Sequence, residues 1–131
     1  MEKIRILVVD DESGFTRLLK LTLEKTGNYQ VLEENDASKA LEAARGFRPN
    51  LVLLDIVMPK MDGGTIASQM QADPMLKKTP IVFLTAIVSA QEVTPGALIG
   101  GFTFLAKPVS LAALTKCIKE NVPGAAVQGK P

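Results

Sequence analysis

The chain has 131 residues, a formal net charge of +1, one cysteine and no histidine. Its length suits a single domain that buries about two thirds of the surface exposed by an unfolded chain. The cysteine count excludes an internal disulfide, the lack of histidine excludes the usual mixed zinc sites, and the balanced charge gives no reason to expect nucleic acid or an anionic membrane as a direct partner.

The amino-terminal apolar run is not expected to be a targeting signal. The apolar run at residues 4–9 is too short for a signal peptide core or a membrane span, and acids follow it directly. A cytoplasmic location is therefore expected, which the lone Cys117 also suits. Residues 123–131 are rich in Pro, Gly and Ala without periodicity, so a flexible tail or the start of a linker is expected after a domain over residues 1–122.

Taken in chain order, the apolar runs predict five strands, and most of the runs are uninterrupted, which is typical of strands buried on both faces. The runs cover residues 4–9, 29–32, 51–54, 81–84 and 101–105. Helical spacing lies between and after them, with caps expected at Ser13, Asp36 and Ser110. Gly27 is expected to stop the first helix, and Gly46 with Pro49 the second. This alternation predicts a doubly wound α/β fold with a five-stranded parallel sheet.

The segment between the fourth and fifth strands departs from this regularity. Pro95 and Gly96 fall where the interior of the fourth helix would lie, and each residue disfavours helix continuation. Residues 88–99 are therefore expected to be the least regular part of the fold.

Polar side chains stand at the ends of four predicted strands. Asp10 and Asp11 follow the first strand, Asp55 the third, Thr85 the fourth and Lys107 the fifth. Because the carboxyl ends of parallel strands meet at one edge, these residues should converge there. Three close carboxylates repel one another unless a cation lies among them, and hard oxygen ligands favour Mg²⁺ or Mn²⁺. A phosphoryl group on Asp55 would give both Lys107 and Thr85 a role.

This constellation resembles the receiver domains of bacterial two-component response regulators, including the chemotaxis regulators. The resemblance runs over nearly the whole chain, from ILVVDDE through LVLLDIVMPKMDGG and PIVFLTA to FLAKP. It implies a receiver domain over residues 1–122 with a (βα)5 flavodoxin-like fold and the strand order 2-1-3-4-5.

The resemblance also implies a phosphorylation switch that catalyses only its own phosphorylation and dephosphorylation. By this likeness, Asp55 accepts a phosphoryl group from a phosphohistidine of a sensor histidine kinase or of a phosphotransfer protein. Asp10, Asp11 and Asp55 would hold Mg²⁺ together with the backbone carbonyl of Val57.

Three residues would respond to the phosphoryl group in such a domain. Lys107 would contact its oxygens, helped by a bond to the following proline that is often cis in the family. Thr85 would turn inward and Phe104 would follow it. The face formed by the fourth helix, fifth strand and fifth helix would then change shape, and a downstream protein partner or an output domain would read that change.

Apolar residues stand two positions after the acceptor and two after Thr85, at Val57 and Ile87, where many relatives carry polar side chains. With no polar group there to orient water, slow loss of the phosphoryl group is expected.

Three alternatives stay open at this point. One is a receiver that acts as a scaffold without being phosphorylated. The second is a phosphatase of the haloacid dehalogenase type, although its D-x-D motif would require an aspartate where this chain has Glu12. The third is a flavodoxin-like FMN module, although DDESGF is acidic where a phosphate loop should be rich in Ser, Thr and Gly.

Overall fold

The computed structural model describes residues 3–59, 61–85, 98–99 and 102–122. The strands are β1 (Ile4–Val9), β2 (Tyr29–Glu34), β3 (Leu51–Asp55), β4 (Ile81–Thr85), β5 (Leu98–Ile99) and β6 (Phe102–Ala106). The helices are α1 (Ser13–Glu24), α2 (Ala40–Phe47), α3 (Gly63–Ala72) and α4 (Leu111–Asn121), and a short 3₁₀ turn, Ala37–Lys39, precedes α2. In these ranges no helix is both long enough and apolar enough to span a membrane.

The strands form one sheet in the order β2-β1-β3-β4-β6-β5. The five longer strands pair in parallel, which confirms the predicted doubly wound parallel sheet and its order, with β6 as the fifth parallel strand. The two-residue β5 pairs antiparallel with β6 at the sheet edge. Only three residues, 97–99, lie between glycines here, which is too few to give a periodic signal, so the sequence did not predict this edge strand.

The core lies on both faces of the sheet, because successive strand residues point to opposite sides. Ile6 and Val8 pack on the face covered by α1 and α4, together with Leu19 and Ile118. On the opposite face, Leu7 packs among side chains of α2 and α3. These two apolar layers hold the strand ends in fixed positions.

Two predicted helix boundaries were wrong. The N-cap of α1 is Glu12 rather than Ser13, and the chain turns there because the Glu12 N–H donates to Asp10 Oδ1 at 2.9 Å. Gly46 lies inside α2 instead of ending it, since Arg48 takes the left-handed conformation with φ 54° and its carbonyl accepts from Arg5 Nε at 2.8 Å.

The other predicted caps agree with the structure more closely. Ser110 accepts from the Ala113 N–H and caps α4, and Gly27 follows α1 with φ 86°. Asp36 caps the 3₁₀ turn that leads into α2. The predicted tail, residues 123–131, and residues 88–97 of the predicted irregular segment lie outside the described residues.

Candidate functional site

The carboxyl edge of the sheet brings four of the predicted side chains together. Asp10 and Asp11 follow β1, Asp55 is the last residue of β3, and Lys107 follows β6. Asp10, Asp11 and Asp55 each offer one carboxylate oxygen, and these oxygens lie within 4.8 Å of one another. The Lys107 ammonium lies 2.5 Å from Asp10 Oδ2 and 3.8 Å from Asp55 Oδ2. Three acids and a lysine therefore form one cluster.

Asp10 is fully buried and held in place by hydrogen bonds from the Glu12 backbone and the Asn35 side chain. Its Oδ1 accepts the Glu12 N–H, and its carbonyl oxygen accepts from Asn35 Nδ2 at 2.7 Å. Its Oδ2 is also buried but accepts no hydrogen bond of normal geometry from the described residues. The Lys107 ammonium is in ion-pair contact with that oxygen. Asp10 therefore presents a carboxylate oxygen that could serve a cation.

Asp55 is buried at the end of β3, with 6% of its surface exposed. Burial raises the pKa of its carboxyl group to about 6, the negative charge of Asp10 adds to the rise, and the positive charge of Lys107 opposes it. The Val57 N–H points to Asp55 Oδ1 at 3.4 Å, which is a long hydrogen bond. An additional cation would therefore stabilise the ionised form of Asp55.

The donor set fits a hard divalent cation. Magnesium prefers hard oxygen ligands such as carboxylates. The three carboxylate oxygens lie within 4.8 Å of one another, so a single ion placed among them could contact all three after the side chains adjust. Asp10, Asp11 and Asp55 would hold the ion, and a ligand role for the Val57 carbonyl stays a prediction.

Lys107 is the basic side chain of the cluster, and only 10% of that side chain is exposed. Besides Asp10 and Asp55, its ammonium contacts Glu12 Oε1 at 3.1 Å and lies 4.5 Å from the centroid of the Phe15 ring. Burial works to lower the pKa of Lys107, but its contacts with the Asp10 and Glu12 carboxylates raise it above its ordinary value. The Lys107–Pro108 peptide bond is cis, as the family resemblance implied.

The two predicted switch residues lie on the adjacent strands β4 and β6. Thr85 is the last residue of β4, is 3% exposed, and accepts the Lys107 N–H at its carbonyl oxygen at 2.8 Å. Phe104 is buried in the core on the α2 and α3 side of the sheet and lies opposite Phe83 in the strand register. Their roles in switching stay predictions.

Sequence reasoning missed Glu12 and Phe15 as neighbours of Lys107. Glu12 follows the acid pair directly, which was a usable signal, but Phe15 reads as an ordinary apolar position of α1. Glu33, near the end of β2, is another acid at this edge of the sheet, but its carboxylate accepts hydrogen bonds from Thr16 and Arg17.

Comparison with known proteins gives one consistent family. The family described as the response regulator receiver domain matches residues 6–119. The response regulator PleD of Caulobacter vibrioides is 39% identical over 107 residues, which cover 80% of this chain and 23% of that protein. The alkaline phosphatase synthesis transcriptional regulatory protein PhoP of Bacillus subtilis is 35% identical over 106 residues, which cover 81% of this chain and 43% of that protein. The chain spans less than half the length of these curated relatives.

Solved structures show the same likeness over almost the full length. The chemotaxis protein CheY4 of Vibrio cholerae superimposes with a TM-score of 0.78 at 27% identity, covering 92% of this chain and all of that one. A response regulator from Chloroflexus aurantiacus superimposes with a TM-score of 0.77 at 28% identity, covering 91% of this chain and 97% of that one.

Proposed function

Because the chain belongs to the response regulator receiver domain family of two-component signalling, we propose that it is a phosphorylation-dependent switch whose phosphoryl acceptor is Asp55. The observation that carries the proposal is the meeting of three carboxylates and one ammonium group at a single sheet edge. The proposed donor is a phosphohistidine of a sensor histidine kinase or a phosphotransfer protein.

The proposed reaction is an in-line displacement at phosphorus. A carboxylate oxygen of Asp55 forms the new P–O bond while the P–N bond of the phosphohistidine breaks, and the imidazole nitrogen leaves with the bonding electron pair. A bound Mg²⁺ supplies charge neutralisation for the carboxylates and the phosphoryl oxygens.

The chain's own residues contribute mainly position and charge. The rigid end of β3 holds the Asp55 carboxylate at the edge of the sheet, where its low exposure limits access by water. The Lys107 ammonium offsets negative charge on the transferred group, and the Thr85 hydroxyl donates a hydrogen bond to it.

The proposed output follows from the position of Thr85 and Phe104 on adjacent strands. Movement of Thr85 toward the phosphoryl group would let Phe104 shift and change the surface that includes β6 and α4. A protein that binds only one shape of this surface would read the signal. The proposed reader is a separate downstream protein or an output domain. Some relatives that are longer than this chain are named as transcriptional regulators.

The experiment is intact-mass measurement after incubation with a small acyl phosphate donor and Mg²⁺. We expect one phosphoryl adduct on the wild-type protein, none with a chelator present and none on Asp55→Asn. Glu42→Gln, an exposed acid on α2, is the matched control and should form the adduct normally. A folded, Mg²⁺-bound wild-type protein with no adduct would favour the phosphorylation-independent scaffold.

The lifetime of the phosphoryl adduct tests whether the apolar Val57, two residues after Asp55, slows the loss of the phosphoryl group. Val57 is 55% exposed and its backbone N–H points at Asp55 Oδ1, so the position lies where water would approach the acyl phosphate. Val57→Asn should shorten the lifetime by giving water a polar partner, and Val57→Leu should not. Equal lifetimes in both variants would contradict the proposed role, and decay of the adduct can be followed by mass.

A further inference from the structure

The Lys107 ammonium lies in a cage of four side chains, of which only two are proposed metal ligands. Asp10 and Asp55 are the proposed ligands, with their Oδ2 atoms 2.5 Å and 3.8 Å from Nζ. Glu12 accepts a hydrogen bond from Nζ at 3.1 Å, and the Phe15 ring lies below Nζ with its centroid 4.5 Å away. Glu12 and Phe15 have no place in the metal cluster, so their contacts with the ammonium need another explanation.

The ammonium and a divalent ion compete for the same oxygens. Asp10 Oδ2 is buried, accepts no hydrogen bond of normal geometry from the described residues, and is in contact with Nζ. An ion among the three carboxylates would stand within a few ångströms of the ammonium, where like charges repel strongly in a site shielded from water. The ammonium must therefore withdraw from Asp10 when the ion binds.

Any contact that stabilises the ammonium in its present place makes this withdrawal less favourable. A ligand's affinity falls when the protein must first leave a conformation that the ligand does not stabilise. The Phe15 ring face attracts a cation placed over it, and its centroid distance is inside the range of about 6 Å for this interaction.

We infer that Phe15, together with Glu12, is a positioning residue that holds Lys107 over the metal ligands in the metal-free protein and thereby lowers the affinity for Mg²⁺. The inference rests on the proposed function, since it concerns the same metal site. Phe15 is well placed for this role because the ring also packs against the core beneath α1 and α4, which fixes its orientation.

The test measures the dissociation constant for Mg²⁺ by calorimetric titration, with no phosphoryl donor present. Phe15→Leu removes the ring face but keeps an apolar side chain, and we expect about two- to fivefold tighter Mg²⁺ binding. Phe15→Tyr keeps the ring face and should bind as the wild type does. The matched control is Leu18→Ala, on an exposed position of the same helix, which should leave the affinity unchanged. Phe15→Met, as a second non-aromatic variant, covers the case in which Phe15→Leu fails to fold.

A second pair of variants asks whether Phe15 acts through the ammonium. In a Lys107→Met background, Phe15→Leu should no longer change the Mg²⁺ affinity, because the competing cation is gone. Unchanged or weaker binding in Phe15→Leu, or an effect that persists without Lys107, would overturn the inference. If the wild-type protein binds no Mg²⁺, both the proposed metal site and this inference are contradicted. If the wild-type protein binds Mg²⁺ and Phe15→Leu changes nothing, only the inference fails.

Discussion

Gly63 lies at a point where the backbone beneath the Asp55 carboxylate leaves no room for a side chain. A Cβ atom there would collide with the Asp55 carbonyl oxygen and stand 3.0 Å from Ile56 Cα. The Gly63 N–H donates to the Ile56 carbonyl oxygen at 2.8 Å, so this approach is part of the turn between β3 and α3. The close contact ties the start of α3 to the strand that carries the phosphoryl acceptor.

Substitution of the two neighbouring glycines tests that contact. Gly63→Ala should lower the free energy of unfolding by about 1–3 kcal/mol, because the backbone must move to admit the methyl group. Gly64→Ala is the matched control, since its Cβ meets only the end of the Asp62 side chain at 3.3 Å, and it should cost less than about 0.5 kcal/mol. Urea denaturation measures both free energies of unfolding. Equal losses of stability in the two variants would show that the close contact of Gly63 with the Asp55 carbonyl oxygen does not cause the effect.

Asp55 should limit the stability of the metal-free protein. Burial raises the pKa of its carboxyl group to about 6, so the ionised form present at neutral pH costs stability. In a chelator, Asp55→Asn should therefore raise the free energy of unfolding, by on the order of 1–2 kcal/mol after allowance for solvent screening. The variant should also lose most of the rise in melting temperature that Mg²⁺ gives the wild type.

Asp11→Asn is the comparison for this effect, because Asp11 is a proposed metal ligand with an exposed side chain. It should weaken the response to Mg²⁺ but stabilise the metal-free protein much less than Asp55→Asn does, because the Asp11 charge makes only a small contribution to the rise in the Asp55 pKa. Thermal melts of both variants with and without Mg²⁺ separate the two contributions. If the metal-free Asp55→Asn variant is no more stable than the metal-free wild type, burial of the ionised Asp55 carboxylate does not cost the stability assigned to it.

At the scale of secondary structure elements, Asp73 at the end of α3 links this helix to α2 through an ion pair with Arg45. Its Oδ1 accepts the Met75 N–H at 2.8 Å, and its Oδ2 lies 2.5 Å from Arg45 Nε. The hydrogen bond from Met75 and then the Arg45 guanidinium hold the pKa of Asp73 below its usual range. The ionised side chain thus stabilises the folded state.

The resulting prediction concerns stability as a function of pH. A carboxyl group with a depressed folded-state pKa contributes stability above its unfolded pKa of about 3.9, and this contribution is lost as the pH falls through the folded value. Asp73→Asn should therefore lower the melting temperature at neutral pH, and its difference from the wild type should shrink below about pH 4. Arg45→Met, which keeps the Met75 hydrogen bond, should have the smaller effect because Arg45 is exposed. If the melting temperature of Asp73→Asn lies below that of the wild type by the same amount at every pH, the ionised Asp73 carboxylate is not the source of the stabilisation.

Most of the elements could be predicted because their signals are local. The aliphatic run of β1 gave its bounds, and Ser110 and Gly27 have the conformations that their residue types favour. One error arose where a tertiary contact decides the outcome, because the Arg48 carbonyl accepts from Arg5, which is 43 residues away in sequence. The other error was local: the hydrogen bond from the Glu12 N–H to the Asp10 side chain, two residues earlier, makes a turn before α1, whereas Ser13 is the residue type that N-caps favour.

At the scale of the whole molecule, the parallel sheet made the site predictable. Asp10, Asp55 and Lys107 are far apart in sequence, but each stands at a strand end, and the topology rule for such sheets brings strand ends to one edge. The Phe15 contact with Lys107 could not be predicted in the same way. It depends on the direction of two side chains and on where α1 begins.

The two core layers share one sheet, so the domain should unfold as a single cooperative unit. Cys117 reports on this because it is the only cysteine and lies 3% exposed in the layer beneath α1 and α4. Burial raises the pKa of its thiol to about 11, so a thiol reagent should label it only when the structure opens. The free energy obtained from the labelling rate should then equal that from urea denaturation.

A variant on the opposite face makes this test decisive. Ile66→Val removes one methylene from the layer beneath α2 and α3, where Ile66 is fully buried, and should cost about 1 kcal/mol of global stability. If the domain opens as one unit, Cys117 labelling should accelerate by the factor of about five that this energy implies. If α4 detaches alone, the labelling rate should not change, because Ile66 packs on the other side of the sheet. Cooperative opening is expected, since α4 packs directly on strands whose other face carries the second layer.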